Sequence, residues 1–112
     1  MRNGVRFTIA GWALMLGGIL CARQEPTIQV STASYGLNVD KHAAGNVTKC
    51  LSSACNGKRS CTFAVKDAAK AAKDTTPYKY KDFDFVYRCG NQVKEGHISN
   101  SHSKIILLSC AD

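Results

Sequence analysis

Six cysteines in 112 residues are the side chains of this chain best suited to chemistry. Cys55 and Cys61 bracket Asn56-Gly57-Lys58-Arg59-Ser60. Asn and Gly accept a positive φ more readily than other residues, so the chain can reverse here and bring the two thiols together. A bridge across so short a ring removes less chain entropy than a long one. Its larger effect would be to fix the junction between the element before Cys55 and the strand leaving Cys61. We expect Cys55–Cys61 and Cys89–Cys110, which leaves Cys50 unpaired and available for an intermolecular bond, including a disulfide-linked homodimer. Cys50–Cys110 with Cys89 left over is the competing pattern, and Cys21, if retained, is a partner for Cys50.

The other reactive side chains form no catalytic set. His97 and His102 are five apart without a carboxylate pair beside them, a poor donor set for a metal, and His42 stands elsewhere. No serine occupies a nucleophile elbow, and Cys50 with His42 makes no dyad. No enzyme activity, cofactor or metal is therefore expected. Lys58, Arg59, Lys66, Lys70, Lys73, Lys79 and Lys81 outnumber Asp67 and Asp74 along one stretch. An acidic polysaccharide or other polyanion suits such a stretch, but a solvated face is the plainer and favoured explanation. Apart from Tyr78 and Tyr80 no aromatics interleave with these cations, so no specific nucleic-acid partner is expected.

The chain starts Met1-Arg-Asn-Gly-Val-Arg6 and continues mostly apolar from Phe7 to Leu20. A basic start, a short apolar stretch and small residues after it predict a secretory signal peptide over residues 1–22, cleaved after Ala22. The stretch is short for a membrane span, which needs about 20 apolar residues. Residues 23–112 then form one domain, small enough for disulfides to supplement its core. The net charge of +7 falls to +5 when Arg2 and Arg6 leave with the leader. The expected location is secreted or periplasmic, with no transmembrane span in the mature part.

Alternation over Thr27 to Thr32 predicts a half-buried strand ended by Gly36. Val47, Leu51, Ala54 and Cys55 share a face of a short helix capped by Asn46. Cys61, Phe63 and Val65 line one side of a second strand. The alanine-rich run Lys66 to Asp74 predicts a second short helix, capped by Asp67 and ended by Thr75, Thr76 and Pro77. Lys81 to Cys89 is the strongest strand, with Phe83, Phe85, Tyr87 and Cys89 on one side. Gly90 to Ser103 reads as polar turns. Lys104 to Cys110 has apolar residues on both faces and is expected to be central or covered on both sides. The sum is an α+β domain of mostly antiparallel strands with one or two short helices, held by disulfides.

Cys55-Asn-Gly-Lys-Arg-Ser-Cys61-Thr, the upstream Ala33-Ser-Tyr-Gly36 and the downstream Tyr87-Arg-Cys89 resemble the galactose/rhamnose-binding (SUEL-type) lectin domain. Asn46-Val-Thr48, Lys81-Asp-Phe83 and Leu108-Ser-Cys110 bring the chain closest to bacterial secreted relatives. The resemblance covers Ile28 to Cys110. It implies a rhamnose-binding-lectin-like domain that binds the hydroxyls of a terminal sugar without catalysis and usually without a metal. Tyr35, Asp74 and Lys79 are the implied carbohydrate-binding residues: an aromatic face, a carboxylate acceptor and a cationic donor. The Tyr-Gly-Arg of the lectins is Tyr35-Gly36-Leu37 here, and their Asp-Pro-Cys is Asp74-Thr75-Thr76. The alternative keeps that fold as a secreted or envelope protein-interaction or inhibitor module, without sugar binding.

Overall fold

Strand β1 (Ile28–Tyr35) begins by sending Ile28 and Val30 inward. A register shift between Val30 and Thr32 then changes the parity, so that Ala33 and Tyr35 face the core in the second half. An extra residue in one strand of an antiparallel pair has this effect. Gly36, at φ 83°, ends the strand as its type predicts. The computed structural model describes residues 25–39, 43–74 and 80–111. The expected leader, Cys21, His42, Lys79 and the Thr75-Thr76-Pro77 stop lie outside the described residues.

Helix α1 (Thr48–Cys55) buries Leu51 and Cys55 on the face anticipated from the spacing, with Val47 buried just before it. Asn46 does not cap it: the cap position is Val47, without a side-chain bond, because the Asn46 amide is turned onto β1. Strand β2 (Ser60–Ala64) runs directly into helix α2 (Val65–Ala71). Val65, expected in the strand, is the first helical residue. Its N–H still donates to the Lys104 carbonyl, 3.0 Å away, and the alanines after it continue as helix. Asp67 lies inside the first turn rather than at the cap, where its charge suits the helix N-terminus.

Strand β3 (Phe83–Cys89) is joined through Gly90 and Asn91 to strand β4 (Gln92–Ile98). This second strand stands where polar turns were expected. It is an edge strand whose side chains are exposed or half-buried, so it carries no apolar alternation to reveal it. Strand β5 (Ile105–Ser109) completes the described elements. Two antiparallel sheets result, β1-β3-β4 and β2-β5. The domain is thus a small α+β unit of antiparallel strands with two short helices.

The core lies between the sheets. Phe63 of β2 stacks on Phe83 of β3 with ring centroids 6.0 Å apart. Phe85 and Tyr87 extend the row at 5.6 and 6.1 Å. Among the described residues the disulfides are Cys55–Cys61 and Cys89–Cys110. The first ties α1 to β2, and the second ties the end of β3 to the end of β5, across the two sheets. None of the described helices is long and apolar enough to cross a membrane.

Candidate functional site

Tyr35 ends β1, Asp74 follows α2, and Lys81 precedes β3. The fold brings these three together. The Tyr35 hydroxyl donates to Asp74 Oδ2 at 3.0 Å, and Lys81 Nζ pairs with Asp74 Oδ1. Lys81 Nζ also stands 5.9 Å from the centre of the Tyr35 ring, within reach of a cation–π attraction. The side chains of Lys81 and Asp74 are 0% and 1% exposed. Of the residues expected to meet a sugar, Tyr35 and Asp74 are therefore in direct contact, while Lys79 lies outside the described residues. The cation at this place is Lys81.

The strand period could have identified Lys81. Lys81, Phe83, Phe85 and Tyr87 share parity, so an extended chain points all four to one side, and that side is the core. Ser101, itself buried, holds the Lys81 carbonyl through both its N–H and its hydroxyl at 2.8 Å. Two charges taken out of water must be matched closely, since the desolvation cost of each is several kcal/mol. A carboxylate whose oxygens meet an ammonium and a phenol satisfies that requirement.

A second surface lies on the outer side of β2-β5. Leu107 pairs with Thr62 and Ile105 with Ala64 along this face. Ile105 is 69% and Leu107 64% exposed. The expectation that this strand is covered on both sides therefore fails among the described residues: Ile106 and Leu108 reach the core, and their alternate neighbours face outward. A cavity of about 350 Å³ opens at the Ile105 end, lined by Ala64, Lys66, His102, Ser103, Lys104 and Ile105. Its charged or titratable lining is all basic. His102 Nδ1 is buried without a hydrogen-bond partner.

The basic stretch does not act as one surface. Lys81 is interior, and Arg59 pairs with Glu25 at 2.7 Å, whereas Lys66 and Lys70 are exposed on α2. His97 of β4 faces carboxylates, with Nδ1 against Asp84 and Nε2 3.4 Å from Asp82 Oδ2. The hydrogen bond and charge of Asp84 push the His97 pKa above its ordinary value. A shallow groove beside it is lined in part by Thr32, Ser34, Asp84 and Glu95. Among the described residues, no group of three or more His, Cys, Asp or Glu side chains is arranged to hold a metal ion.

Cys50 is the one described cysteine outside a disulfide. It is half-buried on α1, and its thiol points at the Asp67 carbonyl oxygen 3.8 Å away on α2. Burial first, and then the Asp67 charge, push its pKa up. The thiolate, which is the nucleophile in disulfide exchange, is correspondingly disfavoured.

Comparison with protein-family models, with curated proteins and with solved structures returns no match to this chain.

Proposed function

We propose that this chain is an exported, non-catalytic recognition module that binds a protein partner through the outer face of β2 and β5. The observation that carries this reading is the exposure of Ile105 and Leu107 side by side on a strand whose alternate residues form the core. Two large aliphatic side chains left in water on one sheet face cost hydrophobic free energy that a partner can recover. Two disulfides suit a compartment in which thiols are oxidised. The test uses the purified chain, immobilised, on the extracytoplasmic fraction of its own cells. A protein retained by the wild type and lost by the Ile105→Ser/Leu107→Ser variant is expected; equal retention by both would sink the reading.

Carbohydrate recognition by a lectin-like domain is the second reading, and one observation favours it. Tyr35 and Asp74, implied as sugar contacts, do converge, with Lys81 supplying the cation. In that reading the sugar draws Asp74 away from partners it already holds. A glycan array at low and moderate salt separates the two readings. Saturable, salt-resistant binding to a neutral sugar that falls in Asp74→Asn supports the lectin. Binding only to acidic polymers, abolished by salt, points to charge alone.

A further inference from the structure

The open edges of the two sheets are treated differently. The outer edge of β1 is occupied along its length. The Ile28 N–H and C=O meet Lys58 O and Gly57 N–H at 2.8 and 2.9 Å. Val30 N–H donates to Asn56 Oδ1 at 2.8 Å, Ala33 meets Thr48 and Val47, and Tyr35 meets Asn46. Such occupation stops a strand edge from pairing with another chain.

On β5 the situation changes along the strand. Cys110 N–H donates to Arg59 O at 2.7 Å, so the backbone groups of Ile106, Leu108 and Cys110 point to β2. Those of Ile105, Leu107 and Ser109 point away. At Ser109 they are met: Tyr87 Oη accepts from its N–H at 3.0 Å, and Lys94 Nζ donates to its C=O at 3.0 Å. At Ile105 and Leu107 no described group meets them. This open part of the edge coincides with the two exposed aliphatic side chains and adjoins the cavity lined by Lys66, His102 and Lys104.

Building on the protein-partner reading above, we infer that the occupant of this surface is an extended acidic segment of that partner. It adds as a short strand to the edge of β5 at Ile105–Leu107. Backbone pairing supplies affinity in this mode, and alternate side chains supply selectivity. Residues two apart on the incoming strand stand about 7 Å apart on one face. Apolar side chains there cover Ile105 and Leu107, and a carboxylate enters the cavity. Charge selects an acidic partner. Lys66, Lys104 and His102 line the cavity with no Asp or Glu among the lining residues, and the buried Nδ1 of His102 lacks a hydrogen-bond partner. An apolar or basic segment would leave the Lys66 and Lys104 charges unmatched.

The probe is a ten-residue capped peptide alternating Leu and Glu, compared with versions carrying Gln or Lys in place of Glu. Binding is followed by fluorescence anisotropy and by amide chemical shifts of the intact disulfide-bonded chain. The acidic peptide is expected to shift amides of 62–66 and 102–107 and to bind at least tenfold more tightly than the Gln version. Lys66→Glu/Lys104→Glu should lose at least tenfold for the acidic peptide and gain for the Lys version. This second arm holds even where Ile105→Ser/Leu107→Ser fails to fold. Equal affinity for the Glu and Gln peptides, shifts scattered over Lys49, Lys58 and Lys70, or no binding would overturn the inference. A natural partner that is lost in Ile105→Ser/Leu107→Ser but indifferent to Lys66→Glu/Lys104→Glu would leave the protein-partner reading standing and remove only the acidic strand.

Discussion

The side-chain amide of Asn46 bonds twice to the backbone of Tyr35, accepting from its N–H at 2.8 Å and donating to its C=O at 3.0 Å. A single side chain thus stands in for a neighbouring strand at the end of β1. Thr48 does the same at Ala33, accepting at 3.0 Å and donating at 3.3 Å. The Asn46-Val-Thr48 triplet is therefore a seal for a sheet edge. As a glycosylation acceptor it would carry the glycan on the same amide nitrogen that now donates to the Tyr35 C=O.

Asn46→Ala should leave both Tyr35 groups without this partner. One net hydrogen bond is worth about 1 kcal/mol, so losing two predicts a destabilisation of about 2 kcal/mol, read as a lower urea midpoint. Asn46→Asp can still accept but no longer donate, and should fall between the two. Equal midpoints for wild type and Asn46→Ala would show that the seal carries no stability.

Lys81→Met removes the cation from a buried pair and leaves the Asp74 charge without its ammonium partner. Breaking such a pair costs about 3–5 kcal/mol. Lys81→Met/Asp74→Asn removes both charges and should recover part of that loss. Urea unfolding of the two variants checks this. A single variant as stable as wild type would mean that the pair is open to water.

His97 titrates on an exposed strand against Asp84, which raises its pKa. A raised folded-state value means that its stabilising contribution is fully present below the unfolded value, near 6.5. It is lost as pH climbs through the folded-state midpoint. The imidazole proton shift should give a midpoint above that value in wild type and return toward it in Asp84→Asn. An unchanged midpoint in Asp84→Asn would break the link between the two groups.

Cys50 should react with iodoacetamide at neutral pH more slowly than a small free thiol, because burial and Asp67 both hold the proton on sulfur. Asp67→Asn should speed the reaction only partly, since burial is the larger cause. The same chemistry slows a disulfide-linked homodimer through this residue. A chain that runs as a dimer on a non-reducing gel, and as a monomer after Cys50→Ser, would show that the thiol is more accessible than its surroundings indicate.

Local chemistry decided much of this fold. Isolated Gly36 and the Asn56-Gly57 pair mark where the chain turns. The period of two in Phe83-Asp-Phe-Val-Tyr87 marks a strand with one buried side, and the 47-51-55 spacing marks a helix face. The pairing of Cys55 with Cys61 and of Cys89 with Cys110 also agrees with expectation.

Where a side chain finds its partner was decided by the tertiary structure alone. Asn46 reads as a helix cap from its neighbours, yet a strand edge 11 residues away in sequence supplies a better match for its amide. Strand β4 carries no apolar alternation because it lies at an edge in water, so pairing with β3 is what reveals it. Ile105 and Leu107 look like core until the two-stranded sheet leaves their side open. Asp74 and Lys81 look like surface charges until the chain closes over them. Hydrophobic period and turn chemistry are local properties of a sequence, whereas burial and polar pairing depend on residues that only folding brings together.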